Sequence, residues 1–333
     1  MTYKQNRGSN WKKRRFSSNR NTNRRGPKKE NIHPSKFIKT ANIQEQEAYS
    51  SKNLFADFKL NSLLQKNIVK KGFIQTSPIQ DQAIPHGLNG KDIIGIANTG
   101  TGKTVAFALP VLNKLLNNSN SKVLIMAPTR ELAEQILEEF KIFSQGGNLK
   151  STLLIGGARM GFQLRELYRK PQIVIGTPGR IKDHLNRKSL DLKGFDNIVL
   201  DEVDRMLDMG FVNDMRIILK NVSEKRQSFF FSATMTDKVR VLINEFAKDP
   251  VKISVKTGDT SDNVEQNIVK YSSLEDKIQK LQNLLTEKKT EKFLIFDETK
   301  RGVDKLSKLL CSKGFRAEAT HGNKSLSQRK RAL

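Results

Sequence analysis

The chain has 333 residues and a formal net charge of +26, with 60 Lys and Arg residues against 34 Asp and Glu residues. The length predicts two domains, and the charge predicts a polyanionic partner, with nucleic acid favoured over an anionic membrane. The lone Cys311 excludes an internal disulfide, and no apolar run approaches the ~20 residues that a membrane span requires. With no apolar core of a secretory signal in its first forty residues, the chain is expected to be cytoplasmic.

The first forty residues carry thirteen Lys and Arg residues against one acid, Glu30. Residues 1–50 are rich in Asn, Ser, Lys and Arg, and this composition predicts a disordered basic tail. Tyr3, Trp11 and Phe16 lie among the cations, so bases can stack on rings while the cations meet phosphates. We therefore expect the tail to contact RNA or DNA; the alternative is a solubilising tail.

Short apolar runs then alternate with helical patterns between residues 51 and 255. The runs begin at Asp92, Lys122, Ser151, Gln172, Asn197, Ser228 and Val251. Between most of them lie amphipathic stretches such as "ELAEQILEEFKIF", which starts at Glu131. Alternating strands and helices indicate βαβ units and an α/β domain with a parallel sheet buried on both faces.

A second series follows a polar segment, residues 256–263, which is typical of a linker. Residues 264–333 show strand patterns at 265–271, 292–298 and 315–322, with a helix predicted over 274–287 and another ending near Leu310. This predicts a second α/β domain of only about three strands, so the chain is expected to hold one complete domain and one that is cut short.

The stretch "IANTGTGKT", from Ile96 to Thr104, follows a predicted strand and opens a predicted helix. In that context it indicates a P-loop, in which backbone N–H groups around Gly100 and Gly102 surround phosphate oxygens. Lys103 would neutralise the β and γ phosphates, and the Thr104 hydroxyl would ligate Mg²⁺. The alternative is a Gly-rich turn, which does not require the Lys-Thr pair.

Three carboxylates follow an apolar run in "IVLDEVD", which begins at Ile198. Ligands of α/β sheets bind beyond the carboxyl ends of strands, so Asp201 is placed to hold Mg²⁺ through water, opposite Thr104. Glu202 would polarise the attacking water. The alternative is capping of the next helix by Asp201 to Asp204, which explains one acid but not three.

These motifs resemble those of the DEAD-box RNA helicases of superfamily two, with "DEVD" in place of Asp-Glu-Ala-Asp and a typical "RMLDMGF" from Arg205 to Phe211. The resemblance extends over residues 53–333. It implies two RecA-like parallel-sheet domains, with ATP and Mg²⁺ as cofactors and RNA as a largely sequence-independent partner.

The resemblance also implies the residues of the ATP site. "GFIQTSPIQ", from Gly72 to Gln80, is similar to the family's adenine-recognition motif, with Gln80 on the adenine edge and Phe55 stacked on the base. The implied ATP-binding set is Phe55, Gln80, Ala97, Asn98, Thr99, Gly100, Thr101, Gly102, Lys103 and Thr104. The implied catalytic residues are Lys103, Asp201 and Glu202.

Further motifs imply coupling and RNA binding. "SAT" is similar to the motif that hydrogen-bonds Asp204 and links the nucleotide to RNA, which assigns coupling to Asp204, Ser232 and Thr234. Three loops pair small or hydroxyl residues with an arginine near a strand end, as phosphate binding requires. They contribute Pro128, Thr129, Arg130, Gly156, Gly157, Thr177, Pro178, Gly179 and Arg180.

The family's remaining second-domain motifs, including an arginine finger worth about 10³–10⁵ in rate, are not found in this sequence. We therefore expect the chain alone to bind ATP·Mg²⁺ weakly and to hydrolyse it poorly. Two alternatives remain at this point. One is a DNA translocase of the same superfamily, and the other is a non-catalytic RNA-binding or annealing protein that uses the basic tail and the first domain.

Overall fold

The computed structural model describes residues 38–40, 49–255, 264–287 and 292–332. Most of the predicted basic tail, and all of the predicted linker at 256–263, lie outside these residues. Two residues assigned to the tail, 49 and 50, already belong to the first domain, because the hydroxyl of Tyr49 donates a 2.6 Å hydrogen bond to Asp81. Lys39 also forms an isolated antiparallel bridge with Gln266.

The first domain is built on a seven-stranded parallel sheet, and all seven predicted strands are confirmed. The strands are β1 (Ile93–Ala97), β2 (Val123–Met126), β3 (Ser151–Leu154), β4 (Ile173–Gly176), β5 (Asn197–Leu200), β6 (Gln227–Ser232) and β7 (Val251–Val255). Their order across the sheet is β3-β4-β2-β5-β6-β1-β7, and every pair is parallel. The strands are apolar along their length because helices cover both faces.

In the described part of the chain, nine α-helices enclose this sheet. They are α1 (Ser62–Lys70), α2 (Pro78–Leu88), α3 (Lys103–Asn117), α4 (Arg130–Phe143), α5 (Met160–Tyr168), α6 (Pro178–Asn186), α7 (Val203–Asp208), α8 (Val212–Asn221) and α9 (Asp237–Phe246). One buried apolar cluster contains residues of α1 to α4, and the other contains residues of α6 to α9. Several helices begin at the residue type that caps helices well; Thr129, for example, accepts a hydrogen bond from the amide of Leu132. The sheet thus has one core on each face.

Backbone hydrogen bonds continue past the strand ends on one edge of the sheet. The amide of Asp201 donates to the carbonyl of Met126, and the amide of Ala127 donates to the carbonyl of Gly176. The amide of Thr177 donates to the carbonyl of Leu154. These three bonds, each 3.0 Å long, join the starts of four loops into one rigid row.

Among its described residues, the second domain contains three helices: α10 (Leu274–Glu287), α11 (Lys300–Ser312) and α12 (Leu326–Ala332). The two helices predicted from the sequence are therefore present. The three strands predicted there are not formed in the described residues, and this part of the prediction is wrong. A strand needs a neighbouring backbone for its N–H and C=O groups, and no strand pairs with these segments within the described ranges; Phe296 remains 87% exposed.

A substitution at Gly176 tests how closely β3 and β4 approach each other. A Cβ atom at this position would overlap the carbonyl oxygen of Leu154, which is backbone and cannot turn aside. We expect Gly176→Ala to lower the free energy of unfolding by about 1–3 kcal/mol in urea denaturation. Gly161 in α5 has open space around it, so Gly161→Ala should leave stability unchanged or raise it by up to about 1 kcal/mol. Equal effects of the two substitutions would contradict this account.

Candidate functional site

The predicted motifs fall on one edge of the sheet, in two groups set by strand order. The P-loop, the acidic cluster and "SAT" follow β1, β5 and β6, which are neighbours. The three arginine- and glycine-containing loops follow β2, β3 and β4, which form the other half of the sheet. The carboxyl ends of parallel strands are where α/β domains bind ligands.

The loop between β1 and α3 has the backbone of a phosphate-binding turn. Gly100 and Gly102 adopt left-handed conformations, with φ of 80° and 86°, which glycine reaches without steric cost. The ammonium of Lys103 is buried and donates a 3.0 Å hydrogen bond to the carbonyl of Ala97. The hydroxyl of Thr101 donates to the carbonyl of Asn98 at 2.8 Å and closes the turn. The loop is thus folded around an inward-facing cation.

Gln80 connects the adenine-recognition motif to this loop. Its carboxamide nitrogen donates to the carbonyl of Gly102 at 3.0 Å, and its oxygen accepts from the amide of Ser77 at 2.9 Å. Phe55 is only 2% exposed and stacks on Phe73, with ring centroids 5.5 Å apart. The ring of Phe55 therefore lies inside the core, and its stacking on a base stays a prediction.

Asp81 has a positioning role that the sequence motifs do not signal. Its carboxylate accepts hydrogen bonds from the Tyr49 hydroxyl, the Lys52 amide, and the amide and side chain of Asn53, at 2.6–3.0 Å. Burial alone would raise the pKa of Asp81, but these donors outweigh it and lower the pKa. Asp81 thereby fixes the segment that leads to Phe55 against the start of α2. No local spacing signals this role, because its partners lie about 30 positions away.

Asp201 is almost completely buried at the end of β5, with 3% of the residue exposed. Burial raises its pKa to about 6, although the charge of Lys103 opposes this change. One carboxylate oxygen accepts a 3.0 Å hydrogen bond from the amide of Glu202. An acid whose ionised form is this poorly solvated favours a cation close by, which is the chemistry expected of a metal-facing carboxylate.

Glu202 occupies the left-handed region, with φ of 53° and ψ of 55°, at the start of α7. Such a conformation is unfavourable for a residue with a side chain, and strain of this kind clusters at functional sites. Its carboxylate lies 3.2 Å from the guanidinium of Arg205, in an exposed pair that contributes little stability. The backbone thus turns Glu202 sharply away from the line of β5, next to Asp201.

Asp204 connects the acidic cluster to β6. Its carboxylate accepts hydrogen bonds from the amide and hydroxyl of Thr234, both at 2.8 Å. The hydroxyl of Ser232 accepts from the amide of Asp204 and donates to the carbonyl of Thr234. Burial opposes ionisation, but the donors prevail, and the pKa of Asp204 is lowered. The geometry matches the contact between "DEVD" and "SAT" that the family resemblance implies.

The second half of the edge brings the three predicted loops together. The guanidinium of Arg130 packs over Gly156 and Gly157; a Cβ at Gly156 would lie 3.1 Å from it, and one at Gly157 would overlap it. Arg180 donates a 3.3 Å hydrogen bond to the carbonyl of Ala158, next to the same glycines. Pro128, Thr129, Thr177, Pro178 and Gly179 lie in the two turns that carry these arginines. The structure therefore groups all nine predicted residues.

A buried hydrogen-bond network lies beneath the loop that contains Gly156 and Gly157, which we call the glycine loop. No sequence motif signals this network. Gln163, 1% exposed, donates to the carbonyls of Ile155 and Ala158. Its carbonyl oxygen lies 3.3 Å from Nε2 of His184, which is fully buried, and Nδ1 of that ring is 2.9 Å from the Ser189 hydroxyl. Burial lowers the pKa of His184, which favours the neutral ring with its proton on Nε2. The network holds the glycine loop onto α6.

The second domain touches this edge through α12. The guanidinium of Arg329 lies 2.7 Å from Glu131, and the ammonium of Lys330 lies 2.6 Å from Glu134. Leu326 packs against the core of the first domain at the same place. Arg329 matches an arginine of the family's second-domain motifs, and here its partner directly follows Arg130 in α4.

The side-chain oxygens of this site are of the kind that Mg²⁺ prefers. Magnesium usually keeps several waters and takes one or two protein oxygens together with phosphate oxygens. The Thr104 hydroxyl and the Asp201 carboxylate are donors of that kind, and the Thr104 side chain makes no hydrogen bond to another described residue. No cluster of three His, Cys, Asp or Glu residues that could hold a metal occurs in the described part of the chain. The residues fit a magnesium ion shared with phosphate.

Comparison with known proteins shows the family to which the chain belongs. The sequence matches the DEAD/DEAH box helicase family over residues 77–242 and the helicase conserved C-terminal domain over residues 276–333. The crystal structure of a DEAD box protein from the hyperthermophile Methanococcus jannaschii is 35% identical, with a TM-score of 0.58, over 84% of this chain and 76% of that one. The chain belongs to the DEAD-box family.

Two bacterial members of the family are closely similar in sequence. The ATP-dependent RNA helicase CshA of Listeria monocytogenes is 44% identical over 279 residues, which are 83% of this chain and 53% of that protein. The DEAD-box ATP-dependent RNA helicase CshA of Bacillus subtilis is 40% identical over 281 residues, which are 84% of this chain and 57% of that protein. This chain thus spans just over half the length of these relatives. Within the described residues, no helix is both long and apolar enough to cross a membrane.

The raised pKa of Asp201 gives a prediction about stability in the absence of nucleotide and Mg²⁺. A folded-state pKa of about 6 exceeds the ordinary value of 3.8, so stability is lost as the pH rises between them. At pH 8, Asp201→Asn should raise the free energy of unfolding by up to about 3 kcal/mol, and near pH 4 it should change little. Urea denaturation at both pH values measures this difference. Asp208→Asn, at an exposed acid of α7, should stay within about 0.5 kcal/mol at both.

Gln163→Leu tests the buried network. The substitution leaves the carbonyl of Ile155 and Nε2 of His184 without their partner, and buried polar groups left unpaired cost about 1–3 kcal/mol each. We expect a loss of about 2–4 kcal/mol in urea denaturation, with faster hydrogen exchange at the amides of residues 156–158. Gln135→Leu, on the exposed side of α4, is the matched control. A loss that is no larger in the first variant than in the second would contradict the assigned role.

Proposed function

We propose that the chain carries the ATP-hydrolysing machinery of a DEAD-box RNA helicase, which locally unwinds or remodels RNA. The observation that carries this proposal is the placement of two buried charges, Lys103 and Asp201, at one edge of the sheet, where the charge of Lys103 acts on Asp201. Buried charges cost stability, so two of them at a ligand-binding edge favour a functional role. The two CshA relatives are RNA helicases by name, and they support the substrate assignment.

In the proposed reaction, backbone N–H groups of the P-loop and Lys103 bind the phosphates of ATP, while Gln80 exchanges its hydrogen bond with Gly102 for one with adenine. Thr104 and Asp201 would hold Mg²⁺, the latter through water, and the ion would supply charge neutralisation at the phosphates. Glu202, placed beside Asp201 by its left-handed backbone, orients and deprotonates the attacking water. Phosphoryl transfer depends mainly on such positioning and charge neutralisation.

RNA is proposed to bind the other half of the edge. Arg130, Arg180 and the amides of the glycine loop offer donors to phosphates and 2′-hydroxyls, which carry no base sequence. The two hydrogen bonds between Asp204 and Thr234 join the acidic cluster to the loop after β6, and these contacts are proposed to couple ATP binding to RNA binding. The basic tail would add attraction to RNA that weakens with salt.

Glu202→Gln tests the enzymatic assignment. The amide keeps the size of the side chain but cannot accept the proton from water, so RNA-stimulated ATP hydrolysis should fall by about 10²–10⁴-fold. Binding of a fluorescent ATP analogue should change less than threefold. Lys103→Ala is the complementary variant and should lose nucleotide binding. Hydrolysis by Glu202→Gln at the rate of the unaltered chain would refute the role of Glu202.

The same variant separates the helicase from an RNA-annealing protein, which is the second candidate. An annealing protein would accelerate strand pairing without ATP and would tolerate Glu202→Gln, whereas duplex unwinding should require Glu202. Competition between duplex DNA and structured RNA then tests which nucleic acid the chain prefers to bind. Preference for duplex DNA over structured RNA would favour a DNA translocase and reject the RNA assignment.

A further inference from the structure

The helix that follows the glycine loop has a face that the proposed ATP and RNA chemistry does not use. The inner side of α5 is occupied by Gln163, which is 1% exposed and holds the loop. On the outer side, Phe162 is 56% exposed and Tyr168 is 89% exposed. Two aromatic rings on the surface of one nine-residue helix are more than scattered exposure explains, since each leaves a large apolar area in water.

Cations surround these rings. Residues 159–170 contain Arg159, Arg165, Arg169 and Lys170 against one acid, Glu166, a net charge of +3. Glu166 lies 3.1 Å from Arg169, so that pair is internally neutralised. Arg165 lies over the ring of Phe162, 6.0 Å from its centroid. Neither Arg159 nor Arg165 has an ion-pair partner among the described residues.

Helical geometry places the arginines between the rings. Phe162, Arg165 and Arg169 are spaced i, i+3 and i+7 and lie along one stripe, with Tyr168 beside Arg165. The two rings are therefore separated by a guanidinium and do not form one continuous apolar patch. A protein partner that buries apolar area favours continuous patches, whereas a nucleic-acid strand needs rings alternating with cations.

The helix is also continuous with the proposed RNA loop. Only Ala158 and Arg159 separate Gly157 from the first residue of α5, and Arg180 donates to the carbonyl of Ala158. From residue 159 to residue 168 the helix extends by about 14 Å. A strand that leaves the glycine loop in this direction meets Phe162 before Tyr168.

We propose that the outer face of α5, formed by Arg159, Phe162, Arg165 and Tyr168, is an accessory binding surface for single-stranded RNA. Bases that flank the segment held by the loops stack on Phe162 and Tyr168, and the arginines contact the adjacent phosphates. The inference rests on the proposed RNA binding and extends the RNA path beyond the loops. It predicts that RNA affinity depends on the length of the single-stranded region.

The test is equilibrium binding of two poly(U) RNAs, one short enough to fill only the loops and one several nucleotides longer. Phe162→Ala combined with Tyr168→Ala should weaken binding of the longer RNA by about 10–100-fold for each of the two stacked bases that it loses. Binding of the short RNA and of a fluorescent ATP analogue should be unchanged. Val69→Ala with Val241→Ala, at apolar residues that are 67% and 58% exposed elsewhere on the domain, is the matched control.

Salt dependence provides a second readout. Arg159→Ala with Arg165→Ala should reduce the slope of log affinity against log salt for the longer RNA by about 0.7 per lost phosphate contact, while the aromatic variant should keep the slope. If the unaltered chain binds both RNAs, and the aromatic variant binds each RNA as tightly as the unaltered chain does, the α5 surface is refuted and the proposed function stands. If the unaltered chain binds neither RNA, the proposed RNA function fails and the α5 inference fails with it.

Discussion

The Asp201 carboxylate lies almost wholly inside the first domain, where an ionised group is poorly solvated, and Lys103 offsets part of that cost. The two residues stand at the ends of β5 and β1, with β6 between them, so their encounter requires the strand order of this sheet. The P-loop conformation, the position of Glu202 and the bond between Asp204 and Thr234 surround the pair. Packing of apolar residues alone would stabilise this fold without any buried charge, so the charges indicate a role in function.

The sheet also separates two kinds of chemistry. The residues proposed to bind ATP follow β1, β5 and β6, and the arginine and glycine loops proposed to bind RNA follow β2, β3 and β4. The boundary falls between β2 and β5, which are adjacent and parallel. At this boundary, α4 carries Arg130 at its start and the acids Glu131 and Glu134 in its first turns, and α12 of the second domain pairs with both acids. The contact between the two domains is thus made beside the half of the edge that is proposed to bind RNA.

Much of this arrangement could be predicted from the sequence, because fully buried parallel strands leave short apolar runs and phosphate loops keep a fixed spacing. The seven strands, the P-loop and the acids at the end of β5 all carry such local signals. Asp81, Gln163 and His184 do not, since each acts through partners that only the tertiary fold brings near. Phe55 matched a motif but lies in the core, and the apolar runs of the second domain lack neighbouring strands within the described residues. Local sequence patterns predict strands, helices and phosphate loops, whereas the hydrogen-bond partners of a side chain depend on how the chain folds.

The three backbone hydrogen bonds that continue the ladder past the strand ends have a mechanical consequence. They run from Asp201 to Met126, from Ala127 to Gly176 and from Thr177 to Leu154, and thus cross from the nucleotide half to the RNA half. A slip of one residue between two of these strands would turn every side chain of the moved strand to the opposite face of the sheet. Displacing Asp201 relative to the loops after β2 and β4 would also break at least one of the three bonds. Each of these loop starts is therefore held in place by the backbone of its neighbour as well as by its own strand.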